Sequence, residues 1–197
     1  MSAERANADS RYPVHPLIRE RWSPRAFADR PVDRETISSL LEAARWAPSC
    51  FNEQPWIFIV ARKEDGEAFE KIARCLTPGN QGWAPNAPVL MVSLARTTFA
   101  ANGQENRHAL HDVGAATAQL TFQASSLGLS VHPMAGIDRD CIRTAFDLPE
   151  GVEAVAAIAI GWAGDPETLP ERLRDREKAP RERKSLGSMV LGGWNEE

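Results

Sequence analysis

The segment AVAAIAIGW, residues 154–162, is an almost unbroken apolar run, and no other stretch constrains the fold as tightly. A strand with one wet face alternates apolar and polar residues, whereas a continuous run suits a central strand buried on both faces. Such a strand needs neighbours beside it and a layer above and below it. Two further runs can supply the neighbours: WIFIVA (56–61), read as a short buried strand entered after a proline, and PVLMVSLA (88–95). The layers come from segments of helical period. DRETISSLLEAARWA sets Ile37, Leu40, Leu41 and Ala44 on one stripe behind Asp33 as N-cap, and EDGEAFEKIARCL turns Phe69, Ile72, Ala73 and Leu76 inward. LSVHPMAG (129–136) follows as strand and turn, then a short helix around Ile142 to Phe146. The class is α+β, layered around one sheet. Residues 1–14 form a loose tail and residues 15–197 a single domain.

Residues 105–127 are the longest helix candidate, with Leu110, Val113, Thr117, Leu120, Ala124 and Leu127 on one stripe and Gly128 ending it. Its other faces carry Ala, Gln and Ser in place of Lys and Glu. A helix so poor in charge is expected to be buried all round, in the centre of the domain or in a subunit interface. No charged residue occurs from Val113 to Ile137, but large apolar side chains are too few for a membrane span. The net charge of −4 argues against a dedicated nucleic-acid binder. Cys50, Cys75 and Cys141 are widely spaced and form no CxxC pair, a pattern of reduced intracellular thiols. The first fourteen residues lack the apolar core of a signal peptide, so the expected compartment is cytoplasmic.

Two polar stretches are candidates for chemistry. In RERWSPRAF (19–27) an extended chain would put Arg21, Ser23 and Arg25 on one face and Trp22, Pro24 and Ala26 on the other. Four residue rises spread the two arginines over roughly 13 Å, enough to touch both ends of an elongated anion. Taken alone, the stretch fits a solvated basic turn better. In APSCFNEQPW (47–56) two prolines bracket Ser49, Asn52 and Gln54 at the mouth of a strand, where amides can read the edge of a flat heterocycle. Alone, this is an ordinary loop rich in turn residues.

Together the two stretches resemble the FMN-dependent nitroreductase family, which combines an R-x-S-x-[RK]-x-F segment with P-S-x-x-N-x-Q-P-W entering a strand. The HPMAGID turn and the basic tail PRERK follow in the same order, so the resemblance runs from about His15 to Leu186. It implies a nitroreductase-like layered fold with a central mixed or antiparallel sheet flanked by helices. A C-terminal extension would embrace the partner subunit of a homodimer. It implies one FMN per subunit at the dimer interface, with hydride passing from NAD(P)H through FMN to nitroaromatics, quinones or related small-molecule acceptors in a ping-pong cycle.

On matching positions, Arg21 and Ser23 reach the FMN phosphate side, with Trp22 between them. Arg25 lies beside the pyrimidine edge, where reduced flavin carries negative charge and a fixed cation stabilises it. Ser49, Cys50, Asn52 and Gln54 match a loop that in this family often comes from the other subunit. Asn80 falls near a position that contacts the flavin ring. Pro133, Met134, Ala135 and Gly136 match the turn lying against the ring. Arg181 and Arg183 match the C-terminal phosphate clamp, with Lys184 an adjacent candidate; guanidinium groups suit a phosphate because they bind it bidentately. Many members carry an acidic residue where this chain has Ala135, which puts substrate and nicotinamide preference in doubt.

His108, His111 and Asp112 lie close along one helix, but no further cluster completes a metal site. Cys50 has no histidine base nearby in the sequence, and there is no GxGxxG or P-loop. Two alternatives stand beside the main reading. One is a flavin-binding family member with another reductive or FMN-storage role. The other is a protein that binds an acidic partner through its arginines, with no flavin.

Overall fold

A computed structural model describes residues 10–192. In chain order its regular elements are α1 (Pro16–Glu20), α2 (Arg34–Arg45), β1 (Trp56–Arg62), α3 (Glu67–Arg74) and α4 (Pro78–Gln81). They continue with β2 (Val89–Arg96), α5 (Ala109–Ser126), β3 (Ser130–Met134), α6 (Arg139–Ala145), β4 (Val152–Gly161) and α7 (Glu171–Lys178). The four strands form one antiparallel sheet in the order β1-β2-β4-β3, so the long apolar run takes an interior position. Of the expected N-terminal tail, residues 1–9 lie outside the described residues, and residues 10–14 are exposed and in no regular element.

The pleat explains the layering. Along β2, Leu90, Val92 and Leu94 point to one face, where they meet Phe69 and Ile72 of α3 and Ile142 of α6. Val89 and Met91 point to the other face and pack with Leu40 of α2 and Leu120 of α5. Ile158 and Ile160 of β4 join that second core, while Ala157 and Ala159 join the first. Asp33 caps α2 by accepting the Thr36 N–H at 2.6 Å.

Three expectations are corrected. The strand at 56–61 is not fully buried. β1 lies at the sheet edge and is mostly half-buried, and an apolar run reads alike whether its cover is its own chain or something else. The long helix begins at Ala109, because Thr98 pairs with Glu105 in an antiparallel bridge and Asn106 with Thr97 just before it. Nor is that helix buried all round within one chain, which leaves the subunit-interface form of the expectation untested. Its inward stripe runs through Ala109, Asp112, Val113, Ala116, Leu120, Thr121 and Ala124, whereas Leu110 and Leu127 are exposed. Its hydroxyls are bonded internally: Thr117, Thr121 and Ser125 donate to the carbonyls of Val113, Thr117 and Thr121 at 2.8–2.9 Å. Gly128 closes the helix at φ 79°, a left-handed turn that favours glycine.

The cysteine reading is also overturned. Cys75, at the end of α3, and Cys141, in α6, form a disulfide with Cα atoms 5.4 Å apart; Cys50 alone is free. The partners are 66 residues apart, so their pairing depends on two helices packing on the same sheet face and leaves no mark in the spacing.

Candidate functional site

The segment Arg21–Phe27 prolongs the sheet beyond β4. Phe27 bridges Ala163, Ala28 N–H donates to the Trp162 carbonyl at 2.9 Å, and Gly164 N–H donates to the Ala26 carbonyl at 2.9 Å. This pairing keeps the chain extended, and its faces divide as the alternation predicts. Pro24 and Ala26 are buried, Trp22 is half-buried, and Arg21, Ser23 and Arg25 stay half-exposed on the opposite side. Arg21 Nη1 donates to Ser23 Oγ at 2.9 Å along that side.

The C-terminal segment packs against these residues. Glu177 of α7, only 1% exposed, accepts the Arg25 N–H at 3.1 Å through both carboxylate oxygens and the Ala26 N–H at 3.5 Å. Its Oε2 also lies 3.8 Å from the Arg25 guanidinium. Four residues further on, Arg181 Nη1 donates to the Arg21 carbonyl at 3.0 Å. The Arg21 guanidinium is held below its usual pKa, first by burial and then by repulsion from Arg183 and Arg181. The basic tail is therefore not simply a solvated run: three guanidinium groups converge where the extended segment begins.

Behind the segment lies His132 of β3. Its Nδ1 is 2.8 Å from the Pro24 carbonyl, which can only accept, so the neutral ring is assigned the Nδ1–H tautomer. The ring centroid is 4.5 Å from that of Trp83, which is buried and also sits under the Arg25 guanidinium at 6.0 Å. Burial pushes the His132 pKa down to about 4, helped by Arg25 and Arg21 and opposed by the Pro24 carbonyl. Beyond His132, Met134 turns into the core while Pro133 and Ala135 are exposed. The Gly136 carbonyl accepts from Thr77 N–H (3.1 Å), Thr77 Oγ1 (3.3 Å) and Asn80 Nδ2 (3.0 Å). Asn80 thus anchors the turn. A Cβ on residue 136 would lie 2.5 Å from both side chains, so any larger residue there has to push them aside.

The loop Ser49–Gln54 lies elsewhere. Ser49 Oγ accepts the Gln54 N–H at 3.0 Å, Gln54 Nε2 donates to the Asn52 carbonyl at 3.1 Å, and buried Asp112 of α5 accepts the Cys50 N–H at 3.0 Å. Asp112 also meets His111 at 3.2 Å, so both have a structural use. Phe51, Asn52 and Gln54 take positive φ, and Phe51 is left 90% exposed. The strand register places this loop. Trp56 pairs with Ala95 at one end of the sheet, whereas Arg62, Val89, Ile160 and Val131 align at the other, beyond which Phe27 meets Ala163. Six residue rises, roughly 20 Å, separate the two ends. Within one chain, Arg21, Trp22, Ser23, Arg25, Arg181 and Arg183 come together beside His132 and Trp83. Asn80 and the turn Pro133–Gly136 form a second group that follows His132 along β3, with Met134 paired to Ala157 halfway along the sheet, while the loop of Ser49, Cys50, Asn52 and Gln54 is held instead by Asp112. A cleft of about 440 Å³ lined by Ile57, Ile59, Leu94, Arg96 and Phe146 is separate from both groups.

Sequence reasoning missed Glu177, Trp83 and Thr77 and read His132 as structural or pocket-lining. Glu177 stands in a run of charges that reads as solvated, and Trp83 carries no spacing signal. His132 had one usable signal, its position directly before the Pro133–Gly136 turn.

Comparison with known proteins gives the site a context. A sequence model described as "Nitroreductase family" matches residues 18–162. A protein of Archaeoglobus fulgidus, provisionally named an NADH dehydrogenase/NAD(P)H nitroreductase, is 30% identical over 153 residues, 76% of this chain and 84% of that protein. A solved oxidoreductase containing FMN superposes with a TM-score of 0.90 at 37% identity, covering 100% of both chains. A provisionally named nitroreductase from Desulfovibrio desulfuricans, solved in complex with FMN, shares the fold with a TM-score of 0.72 at 24% identity, covering 93% of this chain and 98% of that one.

Proposed function

Because the chain belongs to the nitroreductase family, we propose that it works as an FMN-dependent oxidoreductase. The observation that carries this reading is the convergence of Arg21, Arg181 and Arg183 at one end of an extended, partly buried segment. Burial and repulsion from Arg183 and Arg181 lower the proton affinity of Arg21; an anion between them relieves that repulsion, and a phosphate fits the donor set. On this reading the three hold the FMN phosphate, with Ser23 beside them. Arg25, whose backbone is fixed by Glu177, presents a cation to the pyrimidine edge. The turn Pro133–Gly136, braced by Thr77 and Asn80, faces the ring. When bound, FMN would accept a hydride from NADH or NADPH and pass it to an electron-poor acceptor such as a nitroaromatic or quinone, in alternating half-reactions. His132 stays neutral near pH 7 with its Nδ1 proton committed to Pro24, and Ala135 has no ionisable group. On this reading the acceptor takes its protons from solvent.

The proposal includes a homodimer. Its support is the split between the arginine half-site, whose segment meets β3, and the loop Ser49–Gln54, which enters β1 at the opposite edge of the sheet. A second copy can bring its loop to the first copy's arginines. Exposed apolar residues suit the same contact: Trp46 after α2, Phe51 in the loop, Leu110 on α5 and Leu127 just after it. The C-terminal residues Met189 and Leu191, also exposed, fit an arm laid on the partner. No helix among the described residues is long and apolar enough to cross a membrane.

The absorption spectrum of the purified protein tests the reading, followed by steady-state turnover with each nicotinamide and a quinone or nitroaromatic. Flavin bands that co-purify, together with parallel double-reciprocal lines, are expected. Arg25→Ala should lose FMN or slow its reduction far more than Lys63→Ala, which alters an exposed side chain. A colourless protein that cannot be reconstituted with FMN would overturn the assignment and point to an acidic partner. Ultracentrifugation giving only monomer would remove the shared site.

A further inference from the structure

We propose that Glu177 and Arg181 form a strap that fixes the shape of the Arg21–Ala26 segment, and that the Glu177 carboxylate also sets how much of the Arg25 charge reaches the bound flavin. The second half rests on the functional reading above; the first does not. The geometry is a pair of matched contacts running in opposite senses. Glu177 holds the backbone of Arg25 and Ala26, and Arg181, four residues later, holds the backbone carbonyl of Arg21, four residues earlier. α7 ends at Lys178, and Ala179 then turns the chain to extended geometry, so the strap begins helical and finishes extended. Its contacts go to the backbone, and they cover the part of the segment that lies outside the pairing of Ala26 and Ala28 with Gly164 and Trp162.

Glu177 has a second effect because it is charged. A carboxylate this buried is costly unless bonded, and here backbone N–H groups and a guanidinium compensate it. Its negative charge, 3.8 Å from Arg25, opposes the field that Arg25 would otherwise project to the half-exposed side of the segment. A positive field stabilises the reduced cofactor over the oxidised one. Glu177 is thus a positioning residue that restrains the potential of the site as well as shaping it.

Two substitutions separate these roles. Glu177→Gln keeps an oxygen equivalent to Oε1, which accepts from both amides, and removes the charge together with the second acceptor at Oε2. Glu177→Ala removes both. Amide hydrogen exchange on the full-length protein, with no flavin added, is expected to show at least tenfold faster exchange at Arg25 and Ala26 in Glu177→Ala, with Glu177→Gln close to wild type. Equal exchange in Glu177→Ala and wild type would overturn the strap. If Glu177→Ala does not fold, near-wild-type exchange in Glu177→Gln supports the oxygen contact and tenfold acceleration there overturns it.

With FMN bound, the two-electron potential of Glu177→Gln is expected to rise through a tenfold tighter hold on the reduced form, roughly 30 mV. An unchanged or lower potential would overturn the charge role, since a merely structural residue has no reason to raise it. A wild-type chain that takes up no FMN would overturn the functional reading and the charge role with it, while amide exchange still decides the strap.

Discussion

Replacing Gly136 by alanine probes the turn that braces the candidate site, and the structure supplies the magnitude. The new Cβ would sit 2.5 Å from Asn80 Nδ2 and 2.5 Å from Thr77 Oγ1, well inside contact distance. Both groups donate to the Gly136 carbonyl, so moving them aside loosens two hydrogen bonds worth about 0.5–1.5 kcal/mol each. Overpacking of this kind costs about 1–3 kcal/mol. Gly136 does not have positive φ, so no backbone strain adds to the effect. For a chain of this length the loss corresponds to a fall in Tm of roughly 3–10 °C. The assay is thermal melting of Gly136→Ala beside Gly79→Ala. Nothing lies within 4 Å of a Cβ at residue 79, so that variant should be neutral or slightly more stable. FMN retention through gel filtration should fall in Gly136→Ala alone. The double variant Gly136→Ala/Asn80→Ala should cost less than the sum of the single changes, because one clash is relieved. If Gly136→Ala melts with wild type and keeps its flavin, the turn is not braced as described.

Two further outcomes follow from buried groups. His132 has a folded pKa of about 4 against an ordinary 6.5, so below pH 6.5 the unfolded chain binds more protons. The stability from keeping this ring neutral is complete above pH 6.5 and is lost as pH falls towards 4, by roughly 3 kcal/mol in total. His132→Asn retains a donor for the Pro24 carbonyl without titrating, so urea melts at pH 7.5 and pH 4.5 should differ less than in wild type; an equal difference would refute the assignment. Reducing Cys75–Cys141 is expected to destabilise the fold by about 2–4 kcal/mol, read as a lower midpoint in urea containing a phosphine reductant. The half-buried Cys141 gives the reductant its approach, and an unchanged midpoint with two newly titratable thiols would refute the prediction.

Much of the fold was legible in the sequence because it rests on short-range rules. The continuous apolar run at 154–162 required an interior strand, the stripe Ile37–Leu40–Ala44 required a buried helix face, and Asp33 and Gly128 marked helix ends by backbone chemistry alone. Alternation likewise put Arg21, Ser23 and Arg25 on one side of an extended chain. Tertiary structure decided which segments meet. A charge run gives no sign that Glu177 is buried beneath Arg25 while Arg183 stays exposed, because both are compatible with the same local sequence. Two cysteines 66 residues apart pair only because α3 and α6 share a sheet face. The loop Ser49–Gln54 lies apart from the arginines because it enters β1, while their segment packs on β3 at the opposite edge of the sheet. Local pattern acts through neighbours along the chain; burial, pairing and convergence depend on contacts between distant segments, which exist only once the layers have packed.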